Sequence, residues 1–203
     1  MKIIFIGPQG SGKGTQASLL AKKLNIPHIS TGDLLRNAKG QLKQEIDSYI
    51  NKGDLLPDEL MLKILKQRIS ESDCKKGFIL DGFPRNLKQV ELLNSITDID
   101  KIILIHISDK EAIKRISGRV NCEKCKANYN LLTSPKPKNP KICDKCGGRL
   151  IQRADDNEQA VKKRLSIYHK ETEPILDYYE DKFLTINGEQ SIDEIKEDIN
   201  ELI

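Results

Sequence analysis

The chain has 203 residues, 37% apolar and 32% charged, long enough to bury a substantial core beneath a heavily ionised surface. No apolar run approaches the ~18–20 residues of a membrane span, which excludes a membrane-spanning helix and makes a cytoplasmic protein the expectation. The 34 basic and 30 acidic residues leave a formal net charge of +4. Its distribution is uneven: residues 119–153 hold nine Lys/Arg against two acids, leaving 25 basic and 28 acidic residues elsewhere.

The opening MKIIFI reads as a buried strand over 2–6, because its few apolar residues give way at once to a turn and are too few for a secretory signal. The turn, GPQGSGKGT at 7–15, runs into a helix expected over 16–24. Further buried strands are expected around 79–80, over 102–107 and over 183–186. Helices are expected over 58–71, 87–95, 109–118 and 157–180, the last kinked near Pro174. Ser191 and Glu194 form a capping box, and Ile192, Ile195, Ile199 and Leu202 then mark an amphipathic terminal helix. Strands apolar on both faces and alternating with helices imply an α/β fold, a doubly wound parallel sheet with ligands beyond the carboxyl ends of its strands.

Two segments break that alternation. Residues 30–59 are polar, mostly helical and punctuated by Gly32, Gly40, Gly53 and Pro57; residues 119–156 hold four cysteines and three prolines. Both read as insertions into a core made of 1–29, 60–118 and 157–203.

The glycine-rich turn carries the first chemistry. A loop that wraps phosphate aims several backbone N–H groups inward, and glycine tolerates the dihedrals and the close approach that this needs. A strand before it and a helix after it are the context of a P-loop. The helix N-terminus adds partial positive charge, and Lys13 reaches the terminal phosphates. Gly10, Ser11, Gly12, Gly14 and Thr15 complete the cradle. The generic GxxxxGK[ST] motif has a hydroxyl where this chain has Gly14, so the hydroxyl is displaced to Thr15 and its direct ligation of Mg²⁺ is an open question.

The cysteines carry the second. Cys122-x2-Cys125 and Cys143-x2-Cys146, separated by 17 residues, have zinc-ribbon spacing. A segment of 38 residues has too little core to fold alone. Four thiolates would supply a closed, structural Zn²⁺ site; disulfides are the alternative, disfavoured by the compartment. Cys74, near a helix end, reads as packing.

GxPGxGKGT is also the loop variant of nucleoside monophosphate kinases, and the chain resembles the adenylate kinases, in the long form with a metal-bearing lid. The resemblance runs in order through TGDLLR (31–36), GDLLPDE (53–59), DGFPR (81–85) with Gln89, RISGR (115–119), the cysteine pairs, RADD (153–156) and KKR (162–164). Val120 stands where many members have a second arginine, and reads as the loss of a peripheral contact.

That resemblance gives the arginines their meaning. Lys outnumbers Arg 26 to 8, yet six of the eight arginines fall in these motifs. Planar guanidinium groups clamp phosphate bidentately better than a Lys point charge does. The resemblance implies that Arg36 and Arg85 hold the AMP phosphate, with Thr31 and Gln89 near its base and with Gly53, Leu56 and Gly82 lining the same site. It implies that Lys13, Arg119, Arg153 and Arg164 neutralise the transferring phosphoryl group, that Arg115 stacks on the ATP base, and that Asp81 holds Mg²⁺ through its waters. Asp155 and Asp156 either orient lid arginines or form a solvated acidic pair. The implied reaction is ATP + AMP ⇌ 2 ADP, with structural Zn²⁺ in the lid, no membrane or nucleic-acid partner, and a monomeric enzyme. Two alternatives remain: GTP as donor or UMP/CMP as acceptor, and a zinc-ribbon nucleic-acid binder with an ATPase core, for which a single aromatic, Tyr129, leaves little to stack bases on.

Overall fold

Short apolar strands with glycine at their ends pair in parallel when helices can cover both faces. The computed structural model describes residues 1–50, 56–153, 156–179 and 182–203. In chain order it begins β1 (Lys2–Ile6), α1 (Lys13–Leu24), β2 (His28–Ser30), α2 (Thr31–Asn37), α3 (Gly40–Ile50), α4 (Asp58–Ile69), β3 (Phe78–Asp81) and α5 (Leu87–Asn94). There follow β4 (Lys101–His106), α6 (Asp109–Ser117), β5 (Arg119–Cys122), β6 (Asn128–Asn130), β7 (Leu150–Ile151), α7 (Glu158–Ile167), α8 (Ile175–Tyr178), β8 (Phe183–Asn187) and α9 (Ile192–Leu202).

The main sheet is parallel, in the order β2-β3-β1-β4-β8. Alternation along its strands divides the core. Ile4, Ile6, Leu80, Ile102 and Leu104 face α4, α5 and α8, while Ile3, Phe5, Ile79, Ile103 and Ile105 face α1 and α9. This is the α/β architecture expected from the sequence, with one strand more than expected. Three residues, His28–Ser30, are too few to show a period, and β2 exists because its backbone pairs with Ile79–Asp81 in β3.

Two further expectations change. The helix expected over 157–180 ends at Ile167, is followed by a π-helical turn at Tyr168–Thr172, and resumes only at Ile175 beyond Pro174. In that turn His169 lies 2.9 Å from both Asp109 Oδ1 and Glu173 Oε2, tying the turn to the first residue of α6. The other change concerns Asp81, which is the last residue of β3 rather than the residue after it.

The cysteine-bearing segment forms its own antiparallel sheet, β6-β5-β7, over a small cluster of Val120, Cys122, Tyr129, Cys143 and Leu150. Val120 is therefore a packing residue, 6% exposed, and its apolar side chain serves that cluster. Cys74 packs in the main core, 5% exposed, with Arg68 Nη1 3.0 Å from its sulfur.

Leu80 is fully buried, so Leu80→Ala should cost about 2–5 kcal/mol of unfolding free energy, whereas Leu87→Ala at a position 43% exposed should stay within about 0.5 kcal/mol. Urea denaturation followed by circular dichroism checks both.

Candidate active site

The carboxyl ends of β1, β2 and β3 bring the glycine loop, the start of α2 and Asp81 to one edge of the sheet. The loop could not be built from other residues. Gly7 has φ +151° and a side chain there would begin 2.5 Å from Ile105 O; Gly10 and Gly12 also have positive φ. Gly12 is the N-cap of α1 and provides no side-chain cap; Thr15 N–H donates to Gly12 O at 3.0 Å, which leaves the Lys13 and Gly14 amides at the helix start to face a ligand. Ser11 is fully buried within the loop, and its Oγ has no partner among the described residues.

At Gly14 a side chain would begin 3.0 Å from Asp81 Oδ2. A side chain there would crowd the aspartate carboxylate, which would have to give by a few tenths of an ångström. Asp81 lies 3.5 Å from His28 Nε2. Burial pushes its carboxyl upward, but His28 and the charges of Lys13 and Arg85 outweigh that and hold it below the usual carboxylate range. A carboxylate kept ionised at the mouth of a phosphate loop is a suitable donor for a hydrated divalent cation.

Lys13 is held down to about 8. Burial is the main cause; Asp81 opposes it, and the positive charges of Arg85, Arg119 and Arg164 add to it. Burial also lowers Arg85, which Asp81 opposes and Arg164 and Arg36 reinforce. Lys13 of the loop thus feels Arg85, Arg119 of β5 and Arg164 of α7, and Arg85 in turn feels Arg164 and Arg36 of α2. Asp156, its side chain fully buried, accepts from Arg119 Nε at 2.8 Å and lies 3.3 Å from Arg164 Nη2, so it fixes two of these guanidinium groups. Asp155 lies outside the described residues.

A second constellation surrounds Arg85. Its Nε donates to Gly82 O at 2.8 Å, and its backbone N–H donates to Gln89 Oε1 at 2.7 Å. Gln89, 3% exposed, in turn donates to Asp58 Oδ1 at 2.7 Å. Gly82 has φ +86°, and a side chain there would begin 2.7 Å from Thr31 Oγ1 and 3.3 Å from Arg85 Nη2. Thr31 Oγ1 donates to Asp81 O, linking the two constellations. Arg36 pairs with the exposed Asp33 at 2.7 Å, and Leu56 is buried. Gly53 lies outside the described residues. Arg115 is held by Glu111 at 2.8 Å and reaches Gly10 O at 3.4 Å, while Arg153 Nε donates to Asn121 Oδ1 at 2.8 Å.

The four lid cysteines bring their sulfurs within 4.8 Å of one another, with Cys122–Cys146 and Cys125–Cys143 each at 3.5 Å. Tetrahedral zinc with Zn–S near 2.3 Å sets sulfurs about 3.8 Å apart, so this donor set fits that ion. Burial raises the Cys143 thiol, yet the Tyr129 hydroxyl and the amides of Lys145 and Cys146 bring it down to about 6. The thiolate form that binds metal is therefore favoured.

One residue escaped the sequence reading. The loop pattern has proline where this chain has Gln9, and Gln9 Nε2 donates to Val161 O in α7 at 2.7 Å. Nothing local to the motif signals a partner 152 residues away.

An amide cradle at a strand–helix junction, ringed by guanidinium groups and an ionised carboxylate, defines the class: a P-loop phosphotransferase. Residues 5–184 match the adenylate kinase family. The chain is 46% identical to an adenylate kinase of Methanocella arvoryzae, covering 100% of this chain and 98% of that protein. It is 47% identical to that of Acetivibrio thermocellus over 98% of this chain and 96% of the relative, and 46% identical to that of Staphylococcus epidermidis over 100% and 99%. The chain belongs to the adenylate kinase family.

Lys13 gives a pH signature. With its free value at about 8, roughly three-quarters of the molecules carry a neutral Lys13 at pH 8.5, and a bound phosphate restores the charge. Nucleotide binding at pH 8.5 should therefore take up about 0.7 proton, and affinity should fall as pH rises above 8. Calorimetry in two buffers of different ionisation enthalpy measures the uptake; Lys13→Arg, which cannot deprotonate in this range, should abolish it.

Proposed function

We propose that this chain transfers the γ-phosphoryl group of Mg-bound ATP to AMP, reversibly, giving two ADP. The observation that carries this reading is a chain of mutually felt cations, Lys13 with Arg85, Arg119 and Arg164 and Arg85 with Arg164 and Arg36, a density of positive charge that two anionic nucleotides would neutralise. Phosphoryl transfer needs in-line positioning and charge stabilisation, with no strong covalent assistance. In this reading the amides of residues 10–15 and Lys13 cradle the ATP phosphates, with Arg119 beside them and Arg115 at the base. Thr31, Leu56, Gly82 and Gln89 line the AMP site, where Arg36 and Arg85 hold the phosphate. Arg153 and Arg164 reach toward the transferring group from the lid side.

Magnesium bound with the nucleotide neutralises the triphosphate, and Asp81 would hold it through coordinated water. Arg85, braced by Gly82 O and Gln89, would present its guanidinium group to the acceptor in one orientation. The AMP phosphate is itself the nucleophile, so no side chain has to remove a proton. Residues 30–59 and 119–156 act as flaps whose closure excludes water and so directs transfer to AMP rather than to hydrolysis. Four free thiols in the lid suit a reducing cytoplasm. Tyr129, 6% exposed, offers bases no stacking surface, which weighs against nucleic-acid binding.

A coupled assay across ATP and GTP as donors and AMP, UMP and CMP as acceptors should show ATP with AMP preferred; a preference for another pair would replace the adenine assignment. In that assay Arg85→Ala should raise KM for AMP or abolish its use, with ATP binding by calorimetry changed less than threefold, since a charge-assisted phosphate contact contributes about 1.5–3 kcal/mol. An effect confined to ATP would reverse the two sites.

We also assign the four cysteines to structural zinc, because the lid cluster around Val120 and Tyr129 is too small to hold that sheet alone. Purified protein should contain about one zinc per chain without nucleotide. Cys143→Ser should lower both zinc content and the melting temperature while leaving phosphotransfer measurable at 10 °C. Loss of all activity with full zinc and unchanged stability would place the cysteines in the chemistry.

A further inference from the structure

The phosphate loop is wedged between the two helices that carry the chain into and out of the cysteine-bearing segment. On one side stands α6, which leads in: a side chain at Gly10 would begin 3.1 Å from Ala112 O and 3.3 Å from Ile116 Cγ1, and Arg115 Nη1 reaches Gly10 O. On the other side stands α7, which leads out. There the link is the Gln9 amide, whose Nε2 donates to Val161 O at 2.7 Å. Val161 is 3% exposed and belongs to the cluster of Ile107, Ala112, Ile116 and Leu165 that packs α6 against α7.

Two features separate this contact from incidental surface bonding. Its acceptor is a carbonyl within a helix, already part of the helical ladder, so Gln9 adds a second donor where none is required for stability. Its other half is unsatisfied: Gln9 Oε1 is buried and has no partner among the described residues. A side chain that buries an unpaired oxygen while spanning 152 residues is poorly explained by stability alone. Proline, which the loop pattern has here, has no side-chain donor and could not make this bond.

We propose that Gln9 is a positioning residue, a latch through which loading of the phosphate loop by a triphosphate is passed to α7 and so to the lid that α7 anchors. This rests on the assignment of the loop to ATP. Phosphate seating reorients the loop backbone around Gly10 and Gly12, and the Gln9 amide ties any such movement to the Val161 turn of α7. The lid then responds to occupancy of the loop before any lid arginine touches the nucleotide.

Gln9→Met keeps the length of the side chain and removes the donor. Its KM for ATP should rise about 2- to 10-fold, the range that one net hydrogen bond gives. KM for AMP should stay within twofold and the melting temperature within about 2 °C. Hydrogen–deuterium exchange gives the readout that a structural role would not move. In the wild-type chain, MgATP should slow exchange both at the loop amides and at α7 amides from Val161 to Leu165; in Gln9→Met it should protect the loop while leaving α7 much less affected. Unchanged KM for ATP with an unchanged α7 response would overturn the latch, as would equal rises in both KM values with a lower melting temperature. If MgATP protects neither loop nor helix in the wild-type chain, the assignment of the loop to ATP falls, and the latch with it; protection of the loop alone overturns only the latch.

Discussion

Positive charge held at the carboxyl edge of the parallel sheet is the constraint to which the rest of this structure answers. Lys13 and Arg85 are partly buried, the first within the field of Arg85, Arg119 and Arg164 and the second within that of Arg164 and Arg36, and desolvation disfavours the charged forms of both. Such an arrangement persists only if surrounding groups hold it. Asp81 and Asp156 do so: the first at the end of β3, kept ionised by His28 and by the charges of Lys13 and Arg85, the second fully buried between two guanidinium groups. The cost of assembling the site in the empty protein is what an anionic ligand relieves, and this links folding energetics to binding.

The glycines of the site follow from the same crowding. At Gly14 and Gly82 the space that a side chain would need is occupied by Asp81 and by Thr31 and Arg85, respectively. Backbone and charged side chains meet so closely there that a methyl group would displace the chemistry.

The lid solves a different problem. Its sheet has five buried residues in its cluster, two of them cysteines. Metal ligation would replace the apolar burial that such a short segment lacks. The lid joins the core through α6 and α7, which share one apolar cluster and grip the phosphate loop from both sides. Loop, entry helix and exit helix are therefore in direct contact with one another.

Features set by local chemistry were legible in the sequence: the glycines of the loop, the paired-cysteine spacing, the capping box at Ser191 and the apolar strands β1, β4 and β8. Each depends on residues within about two dozen positions of one another, so the pattern itself states the constraint. The arginines stood out because they break a strong preference for lysine, though their convergence could be read only through resemblance. Tertiary structure alone decided the rest. The strand β2 is created by its partner, the helix expected to kink at Pro174 already gives way to a π-helical turn at Tyr168–Thr172, and Val120 is apolar because a small lid core needs it. Asp156 finds Arg119 across 37 positions and Gln9 finds Val161 across 152. Pairings of that kind arise from where the sheet brings distant segments together, and a polar side chain carries no local mark of the partner that folding will supply.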